Sequence, residues 1–386
     1  MHAGPEDWRE AARRALPRFV FDFLDGGADD EACLARNRRD LEALTLLPRV
    51  LTDTRALDTS IEVFGRRWAR PFGITPTGFN GLLRPGGDAL LARAAHGAGV
   101  PFVVATPSNQ RLEAIRVAAP EAMLWLQLFV MEDRAIAEQM MSRAASLGFD
   151  ALVLTVDVPV SGRRERDQRH GLRLPLRWGP RLAWDVVSHP RWALRQASAG
   201  LPGFVNLTKN EDERVSPAAQ AALLARTMDR GLVWDDLRWL RDHWRGPLVL
   251  KGLLHPEDAR VAVAAGVDAI TVSNHGGRQL DAAPSSIAAL PAVVEAVGGR
   301  VPVFVDSGFH RGSEVPKALA LGARAVFFGR PLLYALAAYG GRGAEAMLER
   351  LGQDLEAAMV LLGVPDAARL ATVKAAGNIR PYAPWL

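Results

Sequence analysis

The residues most suited to chemistry lie in the stretch SNHGGRQLD, residues 273–281. This stretch directly follows an apolar run, residues 267–272, that is typical of a buried strand. The two glycines allow a sharp turn, so we expect His275 to lie over the reacting atom of a flat ligand. Arg278 has the planar guanidinium that binds a carboxylate in a bidentate manner. An isolated histidine after a strand is more often a structural hydrogen-bonding group, but its combination with Arg278 favours a general base.

Asp157 is the predicted partner of this histidine, because it lies two residues after a second apolar run that ends at Thr155. A carboxylate in that place can pair with the imidazole of His275 and raise its basicity. The other apolar runs also end in polar or small residues, and the carboxyl ends of the strands carry the active site in an α/β barrel. One such residue alone is usually a loop residue that bonds its own backbone. Their repetition predicts a binding surface with these members: Pro76, Thr77, Gly78, Thr106, Gln127, Thr155, Lys251, Ser273, Asp306, Ser307, Gly308, Gly329 and Arg330.

The last two predicted strands supply a candidate phosphate site. The segment DSGFHRG, residues 306–312, follows the seventh strand, and Gly329 and Arg330 follow the eighth. Barrels commonly hold a phosphate there on backbone N–H groups, and Arg330 adds a charge-assisted contact. A pair of tight turns is the alternative. A phosphate site beside a row of hydrogen-bonding groups indicates a phosphorylated planar cofactor, whose ring Lys251 can neutralise when it is anionic.

The elements that must position these residues form a repeated unit of strand and helix. Four stretches share a helix-ending glycine followed by an apolar run, namely residues 98–108, 147–157, 265–275 and 321–331. Four more apolar runs fit the pattern, which makes eight strands separated by amphipathic helical stretches. Eight such units predict an α/β fold of the closed (β/α)8 barrel type. A doubly wound sheet is the alternative, but no Gly-x-Gly-x-x-Gly motif follows the first strand.

We expect one domain over residues 1–386, with two additions to the barrel. Residues 1–70 are predicted to form a helical N-terminal extension, and residues 158–234 a long loop after the fourth strand. Within this loop, residues 163–195 contain nine arginines, three acidic residues and three tryptophans. Arginine attracts anionic head groups and tryptophan favours the lipid–water boundary, so residues 177–210 are predicted to contact a membrane peripherally. A lid over the active site is the alternative.

Bulk composition narrows the class of protein. The single cysteine, Cys33, excludes an internal disulfide and fits a reducing compartment. We expect a cytoplasmic location, with peripheral contact at the inner membrane, because the N-terminus lacks the apolar segment of a signal peptide and no run is long enough to span a bilayer. The formal net charge is +4, but acidic residues are interleaved with the arginines. The sequence therefore predicts no nucleic-acid binding and no metal site.

Taken together, the motifs resemble the FMN-dependent 2-hydroxy acid dehydrogenases and oxidases. SNHGGRQLD is similar to the active-site motif of that family. The likeness extends along nearly the whole chain through LPRFVFDFLDGGADDE, PTGFNG, LQLF, LTVD, GRRERD, LVLKGLL, DSGFHRG and FGRP. The segments PTGFNG, ATPSN, SHPRWAL and DSGF are most similar to members of the family that oxidise (S)-mandelate.

The resemblance implies FMN as the cofactor and a role for each matching position. His275 is implied as the general base for the C2–H or the hydroxyl of the substrate, with Asp157 stabilising the imidazolium. Arg164 and Arg278 are implied as ligands of the substrate carboxylate. The implied FMN ligands are the strand-end residues named above together with His310, with Lys251 at the N1–C2=O edge of the flavin, where negative charge develops on reduction.

Several positions depart from the family pattern. Phe23 and Phe129, which lie at the substrate, replace two tyrosines whose hydroxyls contact substrate, so the pocket is expected to be more apolar. His310 replaces an arginine, so the phosphate is expected to lose one fixed charge. Gly78 lies where many oxidases of the family have alanine, which implies slow reaction with oxygen.

The function implied is oxidation of an (S)-2-hydroxy acid to the 2-oxo acid, with a mandelate-like or other bulky acid as substrate. The expected electron acceptor is a membrane quinone or, as the alternative, oxygen. Oxidation of L-lactate or glycolate is a second hypothesis. A paralogue that binds FMN without turnover is a third hypothesis, and it rests on the two missing tyrosines. The resemblance also implies a homotetramer.

Overall fold

In a computed structural model, which describes residues 4–170, 179–200, 202–207 and 228–377, eight parallel strands close into a barrel. This arrangement confirms the predicted (β/α)8 fold. Around the barrel the strands follow the order β10–β11–β4–β5–β6–β7–β8–β9. The strands in chain order are β1 (Thr45–Leu46), β2 (Ile61–Val63), β3 (Arg66–Trp68), β4 (Phe72–Ile74), β5 (Phe102–Val104), β6 (Leu124–Leu128), β7 (Ala151–Thr155), β8 (Leu248–Leu253), β9 (Ala269–Val272), β10 (Val303–Val305), β11 (Ala325–Phe328) and β12 (Ala375–Ala376).

Helices follow most barrel strands and cover the outside of the barrel. They are α1 (Pro5–Ala15), α2 (Arg18–Asp25), α3 (Ala32–Ala43), α4 (Asn80–Leu83), α5 (Gly87–Gly97), α6 (Leu112–Ala118), α7 (Arg134–Ser146), α8 (Glu165–His170), α9 (Pro180–Val187), α10 (Pro190–Ala199), α11 (Asp236–His243), α12 (Pro256–Ala264), α13 (Ser286–Val297), α14 (Val315–Ala320), α15 (Arg330–Tyr339) and α16 (Gly341–Leu362). Short 3-10 turns occupy His275–Gly277, Gly312–Glu314 and Ala367–Thr372.

The N-terminal extension is helical only in its first part. Helices α1 to α3 end at Ala43, and β2 and β3 then pair as an antiparallel hairpin. Phe64 and Gly65 turn this hairpin with φ values of 50° and 70°, a left-handed backbone conformation that a right-handed α-helix does not adopt. The prediction of a helical extension through residue 70 is therefore corrected. The hairpin closes the bottom of the barrel, where Trp68 packs against Trp125 at 5.6 Å between ring centroids.

The first part of the extension lies at the opposite, carboxyl end of the barrel. Asn37 of α3 exchanges two amide hydrogen bonds with Asn274, at 3.0 and 2.7 Å, and both side chains are buried. The backbone N–H of Ala28 donates to the carbonyl of Gly277 at 2.8 Å. The N-terminal helices therefore support the loop that contains His275.

The long segment after β7 contains helices α8, α9 and α10 and packs on the carboxyl end of the barrel. The indole N–H of Trp192 donates to the carbonyl of Leu82 at 2.9 Å, and the amide of Gln196 donates to that of Gly81 at 2.9 Å. Asp185 of α9 accepts from the backbone N–H of Arg18 at the start of α2. Residues 171–178, 201 and 208–227, which include part of the predicted membrane segment 177–210, lie outside the described residues.

Candidate active site

A cavity of about 540 Å³ opens at the carboxyl ends of the barrel strands. It contains most of the residues that the sequence nominated, so the linear motifs converge on one place. The predicted site residues that line it are Phe23, Pro76, Thr77, Gly78, Gln127, Phe129, Thr155, Arg164, Lys251, His275, Arg278, Asp306, Ser307, Gly308, His310, Gly329 and Arg330. Among the described residues, no group of three or more His, Cys, Asp or Glu side chains is arranged to hold a metal ion.

His275 and Asp157 form the predicted pair. Nδ1 of His275 lies 3.0 Å from Oδ1 of Asp157. Burial pushes the pKa of Asp157 upward, but the charge and hydrogen bond of His275, together with Lys251, more than offset it and lower the pKa. Asp157 is therefore ionised at neutral pH, and it can orient the imidazole and stabilise its protonated form.

The loop that presents His275 has an unusual backbone. His275, Gly276 and Gly277 all have left-handed φ values, of 58°, 66° and 72°. This conformation is costly for a histidine, and hydrogen bonds from its surroundings maintain it. Ser273 Oγ accepts from the N–H of His275 at 3.0 Å, and Asn274 Oδ1 accepts from that of Gly277 at 3.1 Å.

Arg278 and Arg164 place two positive charges in the same cavity. Burial lowers the pKa of Arg278, and the neighbouring guanidiniums of Arg164 and Arg330 lower it further. Arg278 donates to the carbonyls of Phe23 and Gly26 at 2.7 and 2.9 Å, but it forms no ion pair with a carboxylate in the described part of the chain. A guanidinium retains its proton even when buried, so this site attracts an anionic ligand.

The ring of Phe23 contacts both arginines. The guanidinium carbons of Arg278 and Arg164 lie 5.1 and 5.6 Å from its centroid. Sequence reasoning treated Phe23 only as a tyrosine without its hydroxyl. In the structure the ring has a further role, since its π face stabilises two cations that repel each other.

A second part of the cavity wall, next to Arg278, combines glycines with one arginine. Gly308 and Gly329 line it, and Arg330 donates to the carbonyls of Gly276 and Gly26 at 3.0 and 2.8 Å. A Cβ on Gly308 would lie 2.8 Å from the Cβ of Asn37, which is too close for an ordinary side chain. The packing of α3 on this loop therefore requires glycine at position 308, and a glycine-rich turn leaves backbone N–H groups open to a phosphate.

The buried ammonium group of Lys251 lies between a carboxylate and a hydroxyl group. Its ammonium nitrogen lies 2.8 Å from Ser273 Oγ and 3.2 Å from Asp306 Oδ2. Asp306 also accepts from the hydroxyl of Thr75 at 2.8 Å. These contacts stabilise the positive charge of Lys251 inside the barrel and hold the ammonium at the cavity surface.

Thr106 and Ser273 lie behind the cavity wall. Neither residue is among the described residues that line the cavity, although the sequence predicted both as cofactor ligands. The hydroxyl of Thr106 instead accepts from the backbone N–H of Phe129 at 2.9 Å, and the backbone N–H of Thr106 donates to the side-chain oxygen of Gln127 at 3.0 Å. A strand-end residue points inward or sideways according to the barrel geometry, which spacing along the chain does not specify. Both residues therefore position their neighbours.

Several lining residues were missed by sequence reasoning. Phe79 lies in the recognised PTGFNG segment, and Phe204 lies in the long segment after β7, where nothing in the sequence indicated a pocket residue. Their ring centroids are 4.4 Å apart, and Phe23 adds a third ring 5.6 Å from Phe79. Gln279 was also missed, although its side-chain amide donates to the carbonyls of Asp157 and Val160 at 2.9 and 2.8 Å.

Comparison with known proteins places this geometry in a family. A family model described as FMN-dependent dehydrogenase matches residues 12–375. The chain belongs to the FMN-dependent dehydrogenase family. It is 42% identical over 365 residues to the (S)-mandelate dehydrogenase of Pseudomonas putida, covering 95% of this chain and 91% of that protein. It is 43% identical over 372 residues to an L-lactate dehydrogenase of Caulobacter vibrioides, covering 94% and 95%. The protein is therefore an FMN-dependent 2-hydroxy acid dehydrogenase in the broad sense of this family.

Solved structures show the same relationship. A crystal structure of the monotopic membrane protein (S)-mandelate dehydrogenase has a TM-score of 0.92 at 42% identity, covering 96% of this chain and 98% of that chain. A crystal structure of mandelate oxidase has a TM-score of 0.83 at 37% identity, covering 98% and 99%. The family assignment thus confirms both the resemblance and the expected FMN.

The cavity has unsatisfied polar atoms that fit this cofactor. Gln127 Nε2, Thr155 Oγ1 and Arg330 Nε are buried and have no hydrogen-bond partner within the described ranges. Buried polar atoms in folded proteins almost always have a partner, so these three indicate a polar ligand. Thr155 pairs with Lys251 across β7 and β8, and Gln127 lies on β6, one strand further away, whereas Arg330 lies at the glycine-rich end. This spread of donors fits a flat polar ring at one end and a phosphate at the other.

We predict that Phe23→Leu weakens carboxylate binding, because removing the ring removes the cation–π contact to both arginines. Such contacts contribute about 0.5–2 kcal/mol, so the Kd for a 2-oxo acid should rise about two- to thirtyfold. Titration of the oxidised, FMN-loaded protein with the acid, followed by flavin absorbance, measures this change. Phe23→Tyr keeps the ring and should bind at least as well as the wild type. Equal weakening by Leu and Tyr would contradict the role of the ring.

Proposed function

We propose that this protein oxidises an (S)-2-hydroxy acid with an aryl or other bulky side chain to the 2-oxo acid. The observation that supports this most directly is the position of Arg278 and Arg164. The guanidinium of Arg278 forms no ion pair with a carboxylate among the described residues, and that of Arg164, which pairs with Asp167 at 2.8 Å, lines the same cavity as Arg278 and His275. A 2-hydroxy acid has a carboxylate next to the carbon that reacts, so one substrate can engage both features.

Some residues of this chain bind the substrate, and others accept its proton. Arg278 and Arg164 bind the carboxylate and orient C2 toward the cofactor. His275 accepts one proton from the substrate, from the C2–H or from the hydroxyl, and Asp157 stabilises the imidazolium that forms. Bound FMN would supply the acceptor for the two electrons and for the second hydrogen that the substrate loses. Lys251 lies among the donors proposed to contact the ring, where its charge can offset the negative charge of the reduced flavin.

The same donors define the proposed FMN site. The ring is held by Pro76, Thr77, Gly78, Gln127, Thr155 and Lys251, and the phosphate by Ser307, Gly308, His310, Gly329 and Arg330. Gly78 lies against Pro107, since a Cβ on Gly78 would come within 2.6 Å of the Pro107 ring. Alanine at this position would require a shift of the loop after β5. This contact supports glycine as the residue that the pocket requires at position 78. Because many oxidases of the family have alanine there, it also supports a dehydrogenase in preference to an oxidase.

The aromatic wall supports a bulky substrate. Phe79, Phe204 and Phe23 form a continuous edge-to-face series, and Phe129 stacks 6.5 Å from the ring of His275. Apolar rings in this arrangement favour an aryl group through edge-to-face contact. L-Lactate is the second candidate, because the Caulobacter vibrioides relative at 43% identity is an L-lactate dehydrogenase.

We predict that a 2-hydroxy acid bleaches the flavin of the wild-type protein under anaerobic conditions but not that of His275→Ala. The substitution removes the base and leaves the proposed ring and phosphate donors in place, so FMN should stay bound. Stopped-flow absorbance measures the reduction, with dithionite as the positive control for both proteins. If dithionite bleaches the wild type and no acid does, the protein binds FMN without turnover. Normal bleaching of His275→Ala would remove this residue from the mechanism.

We predict that Phe204→Leu lowers the preference for (S)-mandelate over L-lactate. An aromatic pair contributes about 0.5–1.5 kcal/mol, so the ratio of the two second-order rate constants for flavin reduction should fall about two- to tenfold. Phe64→Leu is the matched control, because this ring packs on Trp125 at the bottom of the barrel. An unchanged ratio in Phe204→Leu, or an equal change in both variants, would argue against an aryl site.

We further propose that α9 and α10 contact a membrane surface and that the acceptor is a membrane quinone. Trp184, Val187 and Leu194 are 73%, 67% and 71% exposed. The exposed arginines of the two helices are Arg181, Arg191 and Arg195. This combination suits an interfacial segment, and each basic residue near an anionic surface contributes about 1 kcal/mol. No described helix is long and apolar enough to cross a membrane, and the (S)-mandelate dehydrogenase of similar structure is a monotopic membrane protein.

We predict that the triple variant Trp184→Ser, Val187→Ser and Leu194→Ser binds anionic liposomes several-fold more weakly than the wild type. Co-sedimentation at low and high salt measures the bound fraction, and salt should weaken the wild-type interaction. The matched control is Val117→Ser with Leu361→Ser, which alters exposed apolar residues on α6 and α16. If the wild type does not sediment, or if both variants behave alike, α9 and α10 are better explained as a lid over the cavity.

A further inference from the structure

His310 lies at the phosphate end of the cavity and is not used by the reaction described above. It lines the cavity together with Gly308, Gly329 and Arg330. Its backbone N–H donates to Glu314 Oε2 at 2.7 Å, but neither ring nitrogen forms a hydrogen bond with any part of the chain that the structure describes. The imidazole is therefore available to a ligand that reaches this end of the cavity.

The charges around His310 come from several elements, and the cations outnumber the available anions. The positive charges of Arg38 on α3, Arg330 on α15 and Arg9 on α1 each disfavour protonation of the imidazole. The two nearby acids are already engaged. Asp25 of α2 pairs with Arg9 at 2.6 Å, and Glu314 pairs with Arg38 at 2.8 Å.

Burial is the largest influence on the imidazole. Together with Arg38 and Arg330, burial lowers the pKa of His310 to about 3, so the ring is neutral at physiological pH before a phosphate enters. A phosphate monoester carries a charge of about −1.5 to −2 at neutral pH. Such a charge next to the ring reverses the local balance, because an opposite charge within a few ångströms favours protonation.

We propose that His310 is a proton-linked ligand of the FMN phosphate, which takes up a proton as the cofactor binds and so makes FMN affinity depend on pH. This inference rests on the proposed placement of the phosphate beside Gly308, Gly329 and Arg330. It assigns a regulatory property to the cofactor site: the balance between the FMN-free and FMN-loaded protein shifts with pH through one side chain.

The sign of the effect follows from linkage. A group protonated only in the complex strengthens binding below its pKa in the complex, and its contribution disappears as pH rises through that value. If phosphate restores the imidazole to its ordinary pKa of about 6.5, the contribution of His310 to FMN affinity falls about fourfold between pH 6 and pH 8. The phosphate itself ionises near pH 6 and acts in the opposite direction, so a comparison with a variant isolates the histidine.

The test is FMN binding to protein freed of FMN, followed by quenching of flavin fluorescence at pH 6, 7 and 8. The proteins are the wild type, His310→Gln, which cannot take up the proton, His310→Arg, which has a permanent charge, and His96→Gln, which removes an exposed histidine from α5. The ratio of wild-type to His310→Gln affinity should fall about fourfold from pH 6 to pH 8. The ratio of wild type to His96→Gln should stay constant.

Riboflavin, which lacks the phosphate, is the ligand control. The pH dependence of riboflavin affinity should be the same in the wild type and in His310→Gln. Identical pH dependence of FMN binding in the wild type and His310→Gln would overturn the inference while leaving the FMN site intact. If His310→Gln does not bind FMN, the comparison is made with His310→Arg, which should bind and lack the fourfold change. Failure of the wild type to bind FMN at any pH would refute the proposed function itself.

Discussion

The buried guanidinium of Arg278 has no carboxylate partner among the described residues, and this charge constrains the whole carboxyl end of the barrel. Such a charge is costly unless dipoles or a ligand stabilise it. The carbonyls of Phe23 and Gly26, at the end of α2, supply part of that stabilisation. The C-terminal end of a helix has partial negative charge, so its position next to an arginine is favourable. A substrate carboxylate would complete the neutralisation, which links binding of the substrate to the cost of burying the charge.

Because α2 supplies those carbonyls, the N-terminal extension is part of the active site. Asp25 near its end accepts hydrogen bonds from Arg9, Arg166 and Tyr334 at 2.6–2.8 Å. Burial alone would raise the pKa of Asp25, but these hydrogen bonds hold it at about 2. The carboxylate therefore stays ionised across the physiological range, and it fastens α1, α8 and α15 to α2. Arg164 precedes α8 by one residue, so the same network positions the second arginine of the pocket.

The phenylalanines that replace tyrosines give the pocket a different physical character. A tyrosine hydroxyl would offer a hydrogen bond to the substrate, whereas Phe23 interacts with cations through its face and Phe129 stacks on the imidazole. Loss of a hydrogen bond to a carboxylate costs about 1.5–3 kcal/mol. Contact between an aryl substrate and the rings of Phe79 and Phe204 offsets part of this cost. The apolar pocket and the choice of a bulky acid are therefore two consequences of the same substitutions.

The sequence by itself determined the eight strands, the barrel and the motif that contains His275 and Arg278. These depend on short-range signals, namely apolar runs, glycine helix ends and residues a few positions apart. Only the tertiary structure decided that Gln127 reaches the cavity while Thr106 lies behind it, and that Phe204 completes an aromatic wall with Phe79. It also decided that residues 61–68 form a hairpin under the barrel and that Asn37 supports Asn274 across 237 positions. Each of these outcomes depends on how the barrel closes and which distant segments pack on it, and no local pattern along the chain encodes that packing.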